Sequence, residues 1–264
     1  MQMDQDQHDA APPVRLEVGV ATLDDVKKAL RLGLRDITVR PALSVFFGLF
    51  YALFGGILVS GLVVFDQIWI LIVVGVGFPL VAPFLAAGLY EMSRRIKREQ
   101  PFTASDIFLV VFNQQRREFG WMALAVLFVF WMWAYQVRLL IALFFQHQGA
   151  LSFESLATFV FTTGEGATFL LIGTLIGALL ATVLFSITVI AMPLLMDKDI
   201  DFITAMLTSV KTVRSSPVVM LGWGAVVGAL TLIAIAPMFL GVIFIFPILG
   251  HTSWHLYKRL ISET

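Results

Sequence analysis

Residues 218–250 contain no charged side chain, and no other feature limits the possible folds of this chain so severely. A helix needs about 20 apolar residues to cross a bilayer core. The block is therefore long enough for two crossings, with Pro237 as the break between them. Four more apolar runs precede it, so the spans read as 42–65, 68–90, 119–145, 167–195, 218–236 and 238–257. Were the last block one re-entrant feature, the count would be five and the termini would face opposite sides. Composition agrees with a membrane chain: 59% of the residues are hydrophobic and only 14% are charged, against roughly 25% charged in a soluble domain. The predicted fold is all-α, a polytopic bundle of about six transmembrane helices in one domain over 21–260, with short tails at 1–20 and 261–264.

Charge placement predicts the orientation. Of 18 Lys and Arg, all but Arg138 fall in the N-terminal segment, in 94–117, in 198–214 or at Lys258-Arg259. The connections at Asp66-Gln67, at 146–166 and around Pro237 carry none. Under the positive-inside rule both termini are cytoplasmic and Gln146–Gly166 lies outside. The first apolar span begins only after some forty residues with several charges, so no cleavable signal peptide is visible. A formal net charge of zero gives no sign of a nucleic-acid partner, and the absence of cysteine excludes disulfides, thiolate metal sites and cysteine nucleophiles.

The segment Asp25–Gly48 has an echo at Asp201–Gly224, offset by 176 residues: Asp25 meets Asp201, Ala29 meets Ala205, Pro41 meets Pro217 and Gly48 meets Gly224. Each copy begins as an amphipathic helix, apolar at Val26, Ala29, Leu30, Gly33, Leu34 and Ile37 in the first, and each enters an apolar span at its proline. The opposite face of the first copy carries Lys27, Lys28, Arg31 and Arg35, so it reads as a helix lying in the cytoplasmic interface or packed against the span ends, capped by Thr22 or Asp24. Phe102–Arg117, with Asp106, is a weaker third copy that Gln114 and Gln115 interrupt. Such a duplication is parallel, all units being inserted in the same sense.

Few residues offer chemistry. Gly173-x-x-x-Gly177 and Gly224-x-x-x-Gly228 match the small-residue spacing that lets membrane helices pack closely. Prolines 79, 83, 193 and 247 lie inside spans and read as kinks, the alternative being broken helices around a substrate. Arg138 reads as a snorkelling side chain near the outer end of its span, or as the partner of Glu154 or Glu165. His251 and His255, four apart, share one helix face. Two imidazoles so placed could ligate Zn²⁺, Cu or Fe, with Glu91 as the nameable third ligand, although the sequence requires no cofactor. The plainer reading makes them polar residues at a helix end beside the interface anchors Trp254 and Tyr257. No phosphate loop, G-x-S-x-G or H-E-x-x-H is present, so no catalytic residue is assigned and the chain is expected not to be an enzyme.

The ending Gly250-His-Thr-Ser-Trp-His-Leu-Tyr-Lys258 resembles the C-terminal signature of the bacterial membrane family catalogued as domain of unknown function 2189. Leu32–Asp36 with Pro41 and Phe47-Gly48, and Asp201-Phe202 with Ala205, Pro217 and Trp223, resemble that family too. The resemblance implies a multi-pass protein of the bacterial inner membrane, adds weight to His251, Trp254 and His255, and implies no activity. The expected function is a non-catalytic accessory, assembly or interaction component of a membrane complex, embedded in the bilayer with a membrane-protein partner or a second copy of itself. The alternative is a transporter or metal-handling protein using the His pair and the kinked spans.

Overall fold

Thr22 starts the first helix through a reciprocal cap: its hydroxyl accepts from Asp25 N at 3.2 Å, and Asp25 Oδ2 accepts from Thr22 N at 3.1 Å. The helix, α1 (Leu23–Val39), ends at a sharp bend, and α2 (Pro41–Val59) leaves at 105° with proline in its first turn. These elements belong to a computed structural model that describes residues 16–60, 68–113, 117–145 and 153–263. The expected turn at Asp66-Gln67, the Gln114-Gln115 interruption and the side chains of Pro79 and Pro83 lie outside the described residues.

The chain continues through α3 (Ile68–Lys97), α4 (Ala104–Asn113), α5 (Arg117–Phe144), α6 (Phe153–Thr162), α7 (Gly164–Thr188), α8 (Ala191–Asp197), α9 (Phe202–Ser215), α10 (Pro217–Ile235) and α11 (Val242–Leu260). Pro193 sits in α8 just past the break after α7, where the amide of Ile190 is taken by Ser209 Oγ at 3.1 Å. Pro237 does open a hairpin: turn residues separate α10 from α11, and Met238 and Phe239 have positive φ.

The offset of 176 reproduces the element boundaries. Pro41–Val59 moved by that amount is 217–235, the span of α10. The bends match as well, Arg40 having φ −141° and ψ 69°, Ser216 φ −146° and ψ 62°. The packing order extends the likeness to three units, α1–α3, α4–α8 and α9–α11. In each unit the short first helix lies on the long last helix of the unit before it: α4 on α3, α9 on α7 and α8, and α1 on α11. The second helices α2, α5 and α10 wedge between neighbouring long helices, and α3, α8 and α11 meet one another. Asp106 caps Thr103 as Asp25 caps Thr22, whereas Asp201 is itself the N-cap of α9, so the three aspartates are not equivalent in role.

Three segments are long and apolar enough to cross a membrane: Glu118–Phe144, Gly164–Asp197 and Pro217–Ile235. Within an 18-residue apolar window of each, only 11%, 22% and 17%, respectively, is buried inside the molecule, so most of that apolar surface faces outward, as lipid contact requires. Leu23–Val39 with Pro41–Ile57 would make a fourth if the bent pair is one span. The six expected crossings are thus three or four candidates among the described residues. The second half of α11 is too polar to count and is almost entirely buried.

The ends of the chain are also corrected. Leu16–Val18 (β1) pairs antiparallel with Ile261–Glu263 (β2), Leu16 opposite Glu263. Both segments were expected to be tails, because a three-residue strand whose partner lies at the other end of the chain leaves no local pattern to read.

Candidate functional site

The buried face of α1 is Ala29, Gly33 and Asp36, an i, i+4, i+7 stripe. Leu34, expected on that face, is 45% exposed, whereas Asp36 is 2% exposed. Gly33 permits this arrangement. A Cβ there would stand 2.8 Å from the backbone nitrogen of Thr252, so only glycine lets α1 and α11 lie this close. The close approach delivers Asp36 to the His face of α11.

Asp36 Oδ2 accepts from Ser93 Oγ at 2.6 Å and from His255 Nε2 at 2.7 Å. Ser93 Oγ also lies 2.8 Å from His251 Nδ1, and Ser44 Oγ lies 3.2 Å from His251 Nε2. Donor counting then assigns the protons. The one Ser93 proton goes to the Asp36 carboxylate, so Ser93 accepts from His251 Nδ1–H, and Ser44 donates to His251 Nε2. The result is a directed chain, Ser44 to His251 to Ser93 to Asp36, with His255 donating to the same carboxylate. It draws one residue from each of α1, α2 and α3 and two from α11, and all five are buried. Burial of this kind is tolerated only when each polar group finds a partner.

Around the chain, Thr252 Oγ1 is buried without a hydrogen-bond partner among the described residues, as is Trp254 Nε1. Trp254 and Tyr257, expected as interface anchors, are each 1% exposed. Trp254 stacks on Tyr90 with centroids 6.5 Å apart, and the Tyr257 hydroxyl donates to Asp197 Oδ2 at 2.8 Å, where Lys258 Nζ joins at 3.0 Å. They serve inside the protein because α11 is enclosed by α1, α2, α3, α8 and α10.

Several expected groupings do not form. Glu91 is buried, its oxygens meet Arg94 Nε and Arg95 Nε, each at 2.6 Å, and among the described residues it does not converge with the His pair as a third ligand. Both ring nitrogens of His251 and Nε2 of His255 are engaged in hydrogen bonds. Among the described residues no group of three or more metal-ligating side chains converges. Arg138 is exposed and makes no ion pair with Glu165 among the described residues, while the side chain of Glu154 lies outside them. The glycine pairs do not seat close helix crossings either. Among the described residues nothing lies within 4 Å of a Cβ at Gly177 or Gly228, Gly173 lies near one Leu140 methyl and Gly224 faces the Phe185 ring. Among the described residues the tight backbone approaches occur at Gly33, Gly48, Gly166 and Gly241 instead. Pro41 and Pro217 hold their expected places at the two bends.

Sequence reasoning missed Asp36, Ser44, Ser93 and Asp197. For Asp36 a signal existed, since the residue continues the Ala29–Gly33 stripe. For the serines there was none, because a single hydroxyl near a span end is ordinary.

The network has one structural meaning on its face. Units one and two, and units two and three, are joined through the chain, but α1 and α11 meet with no such link. The contacts that close this seam are Asp36–His255, Ser44–His251, the Gly33–Thr252 approach, β1–β2, and Arg259 on Asp25 Oδ1 at 2.7 Å.

Comparison with known proteins finds one family. Residues 70–197 match the family described as "Predicted integral membrane protein (DUF2189)". The matched region runs from α3 through α8 and contains Ser93 and Asp197; the His251–Lys258 ending and the two Asp-to-Gly segments fall outside it. No curated protein and no solved structure matches the chain.

Proposed function

We propose that this chain, a member of the DUF2189 integral membrane family, is a non-catalytic component of a membrane assembly that works through its outer surfaces. One observation carries the reading: the buried titratable groups of the Asp36 network are spent on one another, at the seam where the first and last units meet. A buried network paired in this way gives a unique arrangement of helices and commits the Asp36 carboxylate, both ring nitrogens of His251 and Nε2 of His255 to internal bonds. The long helices α5, α7 and α10, by contrast, leave most of their apolar surface uncovered, available to lipid and to another membrane helix. In this reading the termini are cytoplasmic, as the basic loops suggest.

The transporter or metal-handling alternative loses its third ligand to Arg94 and Arg95, and Pro193 is buried in packed surroundings. The test is gentle detergent extraction of the full chain carrying an N-terminal tag, followed by affinity capture and light scattering. The reading expects a stoichiometric membrane partner or a homo-oligomer. A monomer that binds a transition metal, and loses it in the His251→Ala, His255→Ala variant, would overturn it.

A further inference from the structure

The three-unit packing places the bend of one unit against the start of the next unit's short helix, and two of these junctions can be compared. At the third unit the bend residue is Ser216, and its Oγ accepts directly from Ala21 N at 2.7 Å. Ser215 Oγ adds a bond to Gly19 O at 3.4 Å, so the seam is shut. At the first unit the corresponding bend residue is Arg40, which faces Phe102 just before α4. Its long side chain cannot close the joint as serine does. Nη2 reaches Phe102 O at 3.5 Å, the guanidinium stands 5.6 Å from the Phe102 ring centroid, and a cavity of about 310 Å³ remains.

The walls of that cavity are Val39, Pro41, Leu43 and Phe102, with Arg40 and Thr103 as polar members. Thr103 is committed to the α4 cap, and Asp106 is turned to the same cap, its Oδ2 bonded by Thr103 N at 2.7 Å and Thr103 Oγ at 2.8 Å. The Arg40 guanidinium, exposed and held by a single long bond to a carbonyl, is therefore the charge on offer. The cavity lies where α2 departs from α1 at 105°, the bend that the sequence reads as an interfacial helix entering its span at Pro41. A cation above apolar walls at that depth matches an amphiphile with an anionic head and a hydrocarbon body. Arginine suits it because a planar fork of donors can grip two phosphate oxygens at once.

We propose that this cavity is a binding site for a membrane phospholipid, Arg40 holding the phosphodiester and the Val39–Leu43 and Phe102 walls covering the first acyl carbons. At the counterpart joint the Ser216 hydroxyl instead accepts directly from the backbone of Ala21.

The test uses delipidated full-length protein in detergent and follows its melting temperature against three probes: dioctanoyl-phosphatidylglycerol, dioctanoylglycerol and inorganic phosphate. Wild type is expected to be stabilised by the phospholipid alone. Arg40→Gln should weaken the apparent affinity about tenfold or more, the scale of a charge-assisted hydrogen bond. Leu43→Trp, which keeps the charge and fills the cavity, should weaken it similarly, and either variant suffices if the other fails to fold. An equal response to inorganic phosphate would make the site a free-anion site, and an equal response to dioctanoylglycerol would remove Arg40 from recognition; each overturns the proposal. So would an unresponsive wild type, or a folded variant that binds as wild type does.

Discussion

Replacing Asp36 with alanine should be among the most damaging single changes at the α1–α11 seam. Asp36 Oδ2 accepts two short bonds, 2.6 Å from Ser93 and 2.7 Å from His255, at a site only 2% exposed. Each bond to the charged oxygen is worth about 1.5–3 kcal/mol. The larger loss is that the His255 Nε2–H then stays buried without its acceptor and Ser93 must turn its proton to His251, which reverses the chain. Truncating one partner of a buried pair costs about 3–5 kcal/mol, which at about 2–4 °C per kcal/mol lowers the melting temperature by roughly 6–20 °C. Asp36→Asn can place its amide oxygen where Oδ2 stands and keep both acceptor contacts without the charge, so its loss should be smaller. Thermal unfolding in one detergent, followed by tryptophan fluorescence, reads the effect, because Trp254 is buried on the same helix. A cycle with His255→Ala should show coupling of about 1–3 kcal/mol between the two positions. If Asp36→Ala melts within about 2 °C of wild type, or if the two changes are additive, the network does not hold the seam.

Two further outcomes follow from the same contacts. Gly33→Ala places a methyl 2.6 Å from Thr252 Oγ1 and should cost about 1–3 kcal/mol by overpacking. Gly177→Ala, whose Cβ meets nothing within 4 Å, should leave the melting curve unchanged; equal losses at both positions would refute the reading of close approach at α1. The Asp25 carboxyl is held below its usual value first by the Thr22 hydroxyl; burial opposes this, and the Arg259 guanidinium adds to the lowering. With its folded pKa depressed, the stabilisation it gives is present above the ordinary value of 3.8 and is lost as pH falls through the lower folded value. Amide-exchange protection factors of Leu16–Val18 and Ile261–Glu263 should therefore hold steady from about pH 7 to pH 4 and decline below that. Unchanged protection in strong acid would show that the Asp25–Arg259 contact does not tie the ends together.

What was legible in the chain follows from what is local. The apolar runs specify helices directly, and Thr22-x-x-Asp25 and the two prolines specify where α1, α2 and α10 begin. The offset of 176 anticipated two units with coincident boundaries, because bends and caps depend on near neighbours. Lone hydroxyls and carboxylates gave no such sign. Asp36 looked like one charge on an interfacial helix, and Glu91 looked like a ligand for histidines that it does not meet. The glycine spacings were misread for the same reason: Gly173 and Gly177 have the pattern, but whether a helix lies opposite them depends on the rest of the bundle.

Hydrophobic periodicity, charge bias and turn chemistry thus determined that this is a helical membrane protein built from repeated bend-and-span units, since each depends on residues within a few turns of one another. Tertiary structure alone decided that α1 closes on α11, that β1 finds β2, and that Asp36, Ser93, Ser44, His251 and His255 form one chain. Those partners stand up to 219 residues apart. Only the closing of three units on one another, with Gly33 allowing two backbones to touch, brings them within hydrogen-bond reach.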